Sequence, residues 1–221
     1  YHDRAHVADA VARVRRLHTS GRAVSNDFDL HEETEKIKAR LMPGGSGGPE
    51  GSGQRLGFAD FEELDSRARR LYRLAQEDGI EPVLCHGDFY DPNILIQGHD
   101  MYLIDWEYSG MSDYAADLGT FICCSDYAYD QALDVLNTYF GRRPTPAELR
   151  HCVAYIALAA HYWFVWALHK SACGEPVGEY LYLWYRFAKD YGERAENLYR
   201  PVPDRLATDR QVTDRLVSQT A

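Results

Sequence analysis

Cysteine is scarce and unpatterned: five residues at 85, 123, 124, 152 and 173, an odd number with no C-x-x-C pair and no zinc spacing. That excludes a disulfide framework and a structural metal, and makes a reducing cytoplasm the simplest setting. Positive charge is also short. Against 34 Asp and Glu stand 24 Lys and Arg, a net charge of −10, with no basic stripe for nucleic acid or an anionic bilayer, so a cationic small molecule is the better electrostatic match. No secretory leader is expected, because Tyr1-His2-Asp3-Arg4 runs directly into an amphipathic pattern. Long apolar runs are missing but for one, the seventeen residues Cys152 to Leu168, broken only by His161. Its length is marginal for a membrane span and its Tyr and Trp are scattered instead of belted at the ends, so a buried core helix is expected, not membrane insertion.

What is there is an ordinary globular composition, 45% hydrophobic and 26% charged, with a rich supply of 16 Tyr and 4 Trp. Val7, Val11, Val14 and His18 recur at helical steps behind Asp3, a candidate cap, and Phe61, Leu64, Ala68, Leu71 and Ala75 form a second stripe that stops near Gly79. Between them, Pro43 to Gly57 holds seven glycines, two prolines and two serines in fifteen residues. The run Gly44-Gly45-Ser46-Gly47-Gly48 lacks the preceding strand that a phosphate-cradling loop needs, so a flexible linker is expected there. Thr145-Pro146-Ala147-Glu148 reads as a capping box opening a long helix to about Ala172 with Gly174 as its stop, and Gly178 to Leu198 as one more aromatic helix. The expected fold class is mostly α with a small β hairpin (α+β), organised as one lobe over 1–200 and a polar tail over 201–221.

The chemistry lies in the β element. Val83-Leu84-Cys85 runs into the polar loop His86-Gly87-Asp88, and Pro92-Asn93 leads into Ile94-Leu95-Ile96. A four-residue turn, Gln97 to Asp100, then precedes Met101 to Ile104 ending at Asp105. A hairpin so placed sets Asn93 beside Asp105 with Asp88 just before. Phosphoryl transfer from ATP asks for such a set: a carboxylate to take the proton of the attacking hydroxyl, which suits Asp88, and an amide oxygen with a second carboxylate to hold Mg²⁺, which suits Asn93 and Asp105. His86 reads as structural support of the loop and Asp91 as solvated. On the predicted long helix, Trp163 and Trp166 share a face. Paired indoles can hold a quaternary ammonium through cation–π attraction, each about 0.5 to 2 kcal/mol, although aromatic stripes at that spacing also build cores.

His86 to Leu95, then Leu103-Ile104-Asp105-Trp106-Glu107-Tyr108-Ser109-Gly110, then Asp117-Leu118-Gly119, together with Ser25-Asn26-Asp27-Phe28-Asp29, resemble the choline/ethanolamine kinase branch of the aminoglycoside phosphotransferase superfamily. The resemblance spans roughly residues 1 to 200. It implies a protein-kinase-like carboxy-terminal lobe with Asp88 as base and Asn93 and Asp105 on magnesium. It further implies that Glu107 assists a second metal and that Asp117 braces the catalytic loop. It also sets Trp163, Trp166, Tyr182 and Tyr129 around choline or a related amino alcohol, with Tyr185 a rival to Tyr182. Kinases of this type carry an amino-terminal β lobe whose glycine-rich loop and lysine cover the phosphates, and no such segment follows Tyr1. The expectation is therefore weak or no turnover by this chain alone, with the missing lobe supplied elsewhere. Ethanolamine or an aminoglycoside as substrate, a non-catalytic choline-binding module, and more remotely a metal-dependent hydrolase using His86 as a ligand stay open at this level.

Overall fold

The computed structural model describes residues 3–41, 57–98 and 100–200; the expected linker at 43–57, but for Gly57, and the tail at 201–221 lie outside them. The order is α1 (Arg4–His18), α2 (Leu30–Leu41), α3 (Phe61–Glu77), β1 (Val83–Cys85), β2 (Ile94–Gln97), β3 (Asp100–Leu103), β4 (Gly110–Ser112), α4 (Tyr114–Cys124), α5 (Tyr129–Phe140), α6 (Pro146–Ala172) and α7 (Tyr180–Tyr199).

The helix starts follow their caps. Asp3 accepts from the Ala5 amide at 2.8 Å to open α1, whose stripe Ala10, Val11, Val14 and His18 is buried. At α6 the capping box closes as expected: the Glu148 amide donates to Thr145 Oγ1 at 3.2 Å and the Thr145 amide to the Glu148 carboxylate at 2.7 Å. Behind that cap comes the long apolar helix, which is long and apolar enough to cross a membrane, but 94% of its most apolar window is buried inside the fold. A helix apolar on every side needs neighbours on every side, and α2, α3, α4 and α7 pack around it. The approach of α4 is close: a Cβ on Gly119 would sit 2.5 Å from the Tyr155 carbonyl oxygen of α6.

The β part differs from expectation in two respects. In the β2–β3 hairpin the register runs from Ile94↔Leu103 to Gln97↔Asp100, so the first and last residues of the expected four-residue turn are themselves paired and extend the strands by one pair. In addition, Gly110 to Ser112 forms a strand of its own, pairing antiparallel with β1 (Val83↔Ser112, Cys85↔Gly110), while Asp27 bridges to Met111 alongside it. The Phe28 amide donates to the Met111 carbonyl at 3.0 Å and the Met111 amide to the Asn26 carbonyl at 2.9 Å. The segment before α2 is thereby fastened to the strand that follows the hairpin, and the loop between β1 and β2 is enclosed from both sides.

Candidate active site

β1 delivers the chain to His86-Gly87-Asp88, and the loop is held by its backbone. Gly87 has φ +83, a conformation side chains rarely adopt, and a Cβ there would lie 2.2 Å from the Tyr108 carbonyl oxygen. Asp117, on the first turn of α4 and fully buried, takes the Gly87 amide on Oδ1 and the His86 amide on Oδ2, both at 2.8 Å. Burial alone would raise that carboxyl, but the bonds from His18 and the two loop amides hold it below the usual carboxylate range. The buried His86 ring donates from Nε2 to the Ile104 carbonyl at 2.9 Å and accepts the Asp88 amide on Nδ1 at 3.3 Å. Both ring nitrogens are thus committed to the backbone, and burial holds the imidazole below its ordinary value. His86 is a brace between the loop and the hairpin, and its committed nitrogens leave none for a metal.

Asp88 is the outcome of this bracing. The residue is 8% exposed. Oδ2 accepts from the Asn93 amide nitrogen at 2.8 Å, which also donates to the Asp88 carbonyl at 2.9 Å. Among the described residues, Oδ1 is buried without a hydrogen-bond partner. Burial pushes the carboxyl up to about 6, opposed by the Asn93 bond and aided by the charges of Asp105, Asp117 and Glu107. An acceptor oxygen with no donor among the described residues, on a carboxyl raised toward neutrality, can take up a proton.

Asn93 ends a 3-10 turn, Asp91–Asn93, in which Pro92 pre-sets the helical φ. The Ile104 amide donates to the Asn93 carbonyl at 3.0 Å, so Ile104 lies opposite Asn93 and Asp105 follows one residue beyond it. Asp105 itself adopts φ +63, a strained conformation for a non-glycine residue of the kind that clusters where a side chain must be aimed. Asp105 and Glu107 are both exposed. Because Asn93 commits its amide nitrogen to Asp88, its oxygen is what it offers a cation. Asn93 and Asp105 make an all-oxygen donor set of the kind hard cations such as Mg²⁺ take. A buried trio, His18, Cys85 and Asp117, brings donor atoms within 4.8 Å of one another. It is a hydrogen-bonded node: its imidazole and carboxylate already bond each other at 2.9 Å, and burial pushes the Cys85 thiol well above its ordinary value.

On the other side of Asp91 opens a cavity of about 550 Å³ lined by residues that include Asp91, Cys124, Asp126, Glu179, Tyr180 and Tyr182. Tyr182, 66% exposed, stands at this cavity and touches Phe58, not the tryptophans. Tyr129 packs on Tyr191 with the Arg194 guanidinium 4.5 Å above its ring. Trp163 and Trp166 do meet, with ring centroids 5.7 Å apart. The third ring of their cluster is Trp184, 5.7 Å from Trp163 and 6.4 Å from Trp166, and Tyr180 stacks on it at 5.4 Å. Of the four aromatics expected in one cage, the described ring contacts thus join only the two tryptophans. The rival Tyr185 donates instead to Asp60 beside Lys189. Trp184 and Tyr180, four residues apart on α7 and so on one face, are cluster members that the sequence pattern did not single out; that spacing is the signal that could have found them. Burial, then the charges of Asp88, Cys124, Tyr180 and Asp105, push the Tyr90 hydroxyl up to about 12.

The family model described as "Phosphotransferase enzyme family" matches residues 2–152. Protein LicA of Haemophilus influenzae is 26% identical over 185 residues, 79% of this chain and 64% of that protein. The crystal structure of a choline/ethanolamine kinase family protein from Mesorhizobium loti superposes with a TM-score of 0.61 at 26% identity, covering 90% of this chain and 63% of the other. Choline kinase LicA from Streptococcus pneumoniae gives a TM-score of 0.69 at 21% identity over 86% of this chain and 64% of that one, a likeness of fold. The chain therefore spans less than two thirds of the length of these relatives. Its mostly helical, protein-kinase-like architecture and the match over more than half its residues agree: the chain belongs to the phosphotransferase enzyme family.

Proposed function

We propose that this chain provides the catalytic lobe of an ATP-dependent choline kinase. The observation that carries the reading is the buried Oδ1 of Asp88, unpartnered among the described residues, on a carboxyl raised to about 6. In this reading Asp88 accepts the proton of the choline hydroxyl as its oxygen attacks the γ-phosphorus of ATP. The Asn93 bond to Oδ2 keeps the unpartnered Oδ1 turned to the substrate. Asn93 and Asp105 would hold Mg²⁺, with Glu107 assisting a second ion; when bound, the metal neutralises charge on the phosphates. Asp117 and His86 fix the loop from behind. Exposed Leu95, Tyr102, Ile104 and Trp106 make an apolar face on and after the hairpin, beside Asn93 and Asp105; we assign the nucleotide base and the rest of the kinase to it. That assignment is why we expect weak or no turnover from this chain alone. Free cysteines at all five positions fit a cytoplasmic enzyme.

For the amine, the cavity beside Asp91 and the Trp163–Trp166–Trp184 cluster behind Tyr180 supply aromatic faces in a negatively charged setting, the chemistry a trimethylammonium group asks for. The carboxylates of Asp91 and Glu179 on the same cavity, where Asp126 is paired with Arg186, favour a second reading, a primary ammonium such as ethanolamine or an aminoglycoside. Steady-state phosphorylation of choline, ethanolamine and an aminoglycoside by the full-length protein separates them. Choline with the highest kcat/KM is expected, as is a loss of about 10²- to 10⁴-fold in kcat for Asp88→Asn. Full activity of that variant would end the assignment of Asp88 as base.

A further inference from the structure

The wall of the cavity beside Asp91 carries a thiol that no step of the proposed reaction uses. Cys124 ends α4 half-buried and lines that cavity together with Tyr180, Tyr182 and Leu183 of α7. Directly behind it, Cys123 is fully buried. Neighbours in sequence on a helix ordinarily point apart, but these two side chains converge, and their sulfurs stand 4.0 Å from each other. Cys123 sends its one S–H to the Thr120 carbonyl at 3.6 Å, so in the contact with Cys124 its sulfur is the acceptor.

Two thiols placed in this way remain a dithiol. A disulfide asks for Cα atoms about 4.4 to 6.8 Å apart, whereas consecutive residues hold theirs at about 3.8 Å across a trans peptide. Closing one would pull both residues out of the helix. Burial, then the neighbouring Cys124 thiol, push the Cys123 thiol well above its ordinary value, so it stays neutral until a ligand takes its proton. The ligand that fits is a soft acceptor that takes both sulfurs and removes both protons itself. A trivalent organoarsenic oxide does so. Arsenic forms one bond to each sulfur, the arsenic–oxygen bond breaks, and the oxygen leaves as water with the two thiol protons. Arsenic stays trivalent, so neither oxidant nor reductant takes part. The 4.0 Å between the sulfurs is shorter than two arsenic–sulfur bonds laid end to end. Cys124 on the cavity wall reacts first, and the second bond, to Cys123, is then intramolecular. The organic group on arsenic falls among Tyr180, Tyr182 and Leu183.

We propose that Cys123 and Cys124 form a dithiol site for trivalent arsenicals, and that filling it closes the amine cavity. The second half rests on the assignment of that cavity to the amine. The test loads the full-length protein with phenylarsine oxide, removes free reagent and reads the adduct by mass spectrometry of the intact protein. The adduct should survive excess mercaptoethanol and leave with dimercaptopropanol, because a two-sulfur chelate recloses faster than a monothiol traps it. Cys124→Ser and Cys123→Ala should each lower the mercaptoethanol-resistant adduct by about tenfold or more. Should Cys123→Ala not fold, Cys124→Ser, a near-isosteric change at a half-buried position, decides alone. Loaded wild type should phosphorylate choline with kcat/KM lowered by about tenfold or more and recover on dimercaptopropanol treatment. Saturating choline should slow the loading. An adduct that washes off with mercaptoethanol, or one that persists in Cys124→Ser, overturns the dithiol site. An unchanged kcat/KM in the loaded protein overturns the closure of the amine cavity. A resistant adduct on a protein that, unloaded, phosphorylates no amino alcohol would instead overturn the choline kinase reading and leave the dithiol site standing.

Discussion

At Asp88, function and stability pull in opposite directions. Its carboxyl is raised from 3.8 to about 6 mainly by burial, so the folded protein binds this proton more readily than the unfolded chain does. The ionised form therefore costs stability at neutral pH, and that cost fades as pH falls through about 6. Asp88→Asn removes the charge while its amide oxygen can still accept from Asn93, so we expect a variant with turnover lowered about 10²- to 10⁴-fold and a stability gain on the order of 1 kcal/mol at pH 7, read by urea denaturation. A destabilised Asp88→Asn would mean that the ionised carboxylate has a partner which the structure does not contain. The same raised value places the acidic limb of kcat/KM near pH 6, with activity falling below it because the protonated carboxyl cannot accept. On the substrate side, Trp184→Ala should raise KM for choline as much as Trp163→Ala, since both rings belong to one cluster; about 1 kcal/mol per face corresponds to several-fold in KM. An unchanged KM in the Trp184 variant would restrict any cation site to the α6 rings. The residues of the loop were legible in the sequence because their chemistry is tied to spacing: Asp88, Asn93 and Asp105 are separated by a turn and a hairpin, both local structures. Trp184 and His18 were not, because what makes them matter is a neighbour far along the chain.

Elements were legible where a local signal fixes them. Thr145-Pro146-Ala147-Glu148 announced α6 and the capping bonds formed; the stripe from Phe61 to Ala75 announced α3. β4 was illegible because three residues, Gly110-Met111-Ser112, carry no periodicity, and they become a strand only by pairing with β1 and with the backbone around Asp27. The packing of α4 on α6 was equally hidden: Gly119 has no turn to make and reads as a weak point in a helix until the Tyr155 carbonyl is seen to lie where its Cβ would be. Gly119→Ala must push α4 away from α6, and the first turn of α4 carries Asp117. We expect a loss of about 1 to 3 kcal/mol in urea denaturation together with a fall in kcat. A neutral effect would show that the helices separate without strain.

The whole molecule is pinned at one more point, remote in sequence from the catalytic loop. His151 of α6 is buried with Nδ1 3.1 Å from Asp78 Oδ2 and Nε2 2.9 Å from Asp113 Oδ2. Asp78 also takes the Arg150 guanidinium and the Tyr199 hydroxyl, so the end of α3, the start of α4, the start of α6 and the end of α7 meet there. Burial works against the charged ring, but the bonds and charges of Asp113 and Asp78 prevail and raise His151 above its ordinary 6.5. A raised folded value means that the stabilisation is fully present below pH 6.5 and is lost as pH rises through the folded value. Asp78 is held low by Arg150, Tyr199 and His151 against the effect of burial, so its contribution is lost only on acidification below its ordinary 3.8. The protein should therefore be more stable at pH 6 than at pH 8.5. His151→Leu should leave two carboxylates facing an apolar side chain, lowering stability at pH 6 by about 3 kcal/mol or more, the usual result of removing one partner of a buried ion pair. It should also flatten the decline toward alkaline pH. Denaturation midpoints of both proteins across that range decide the point: an equal alkaline slope in the variant would assign the pH dependence to another group, and a variant as stable as wild type at pH 6 would mean that the pin carries no load.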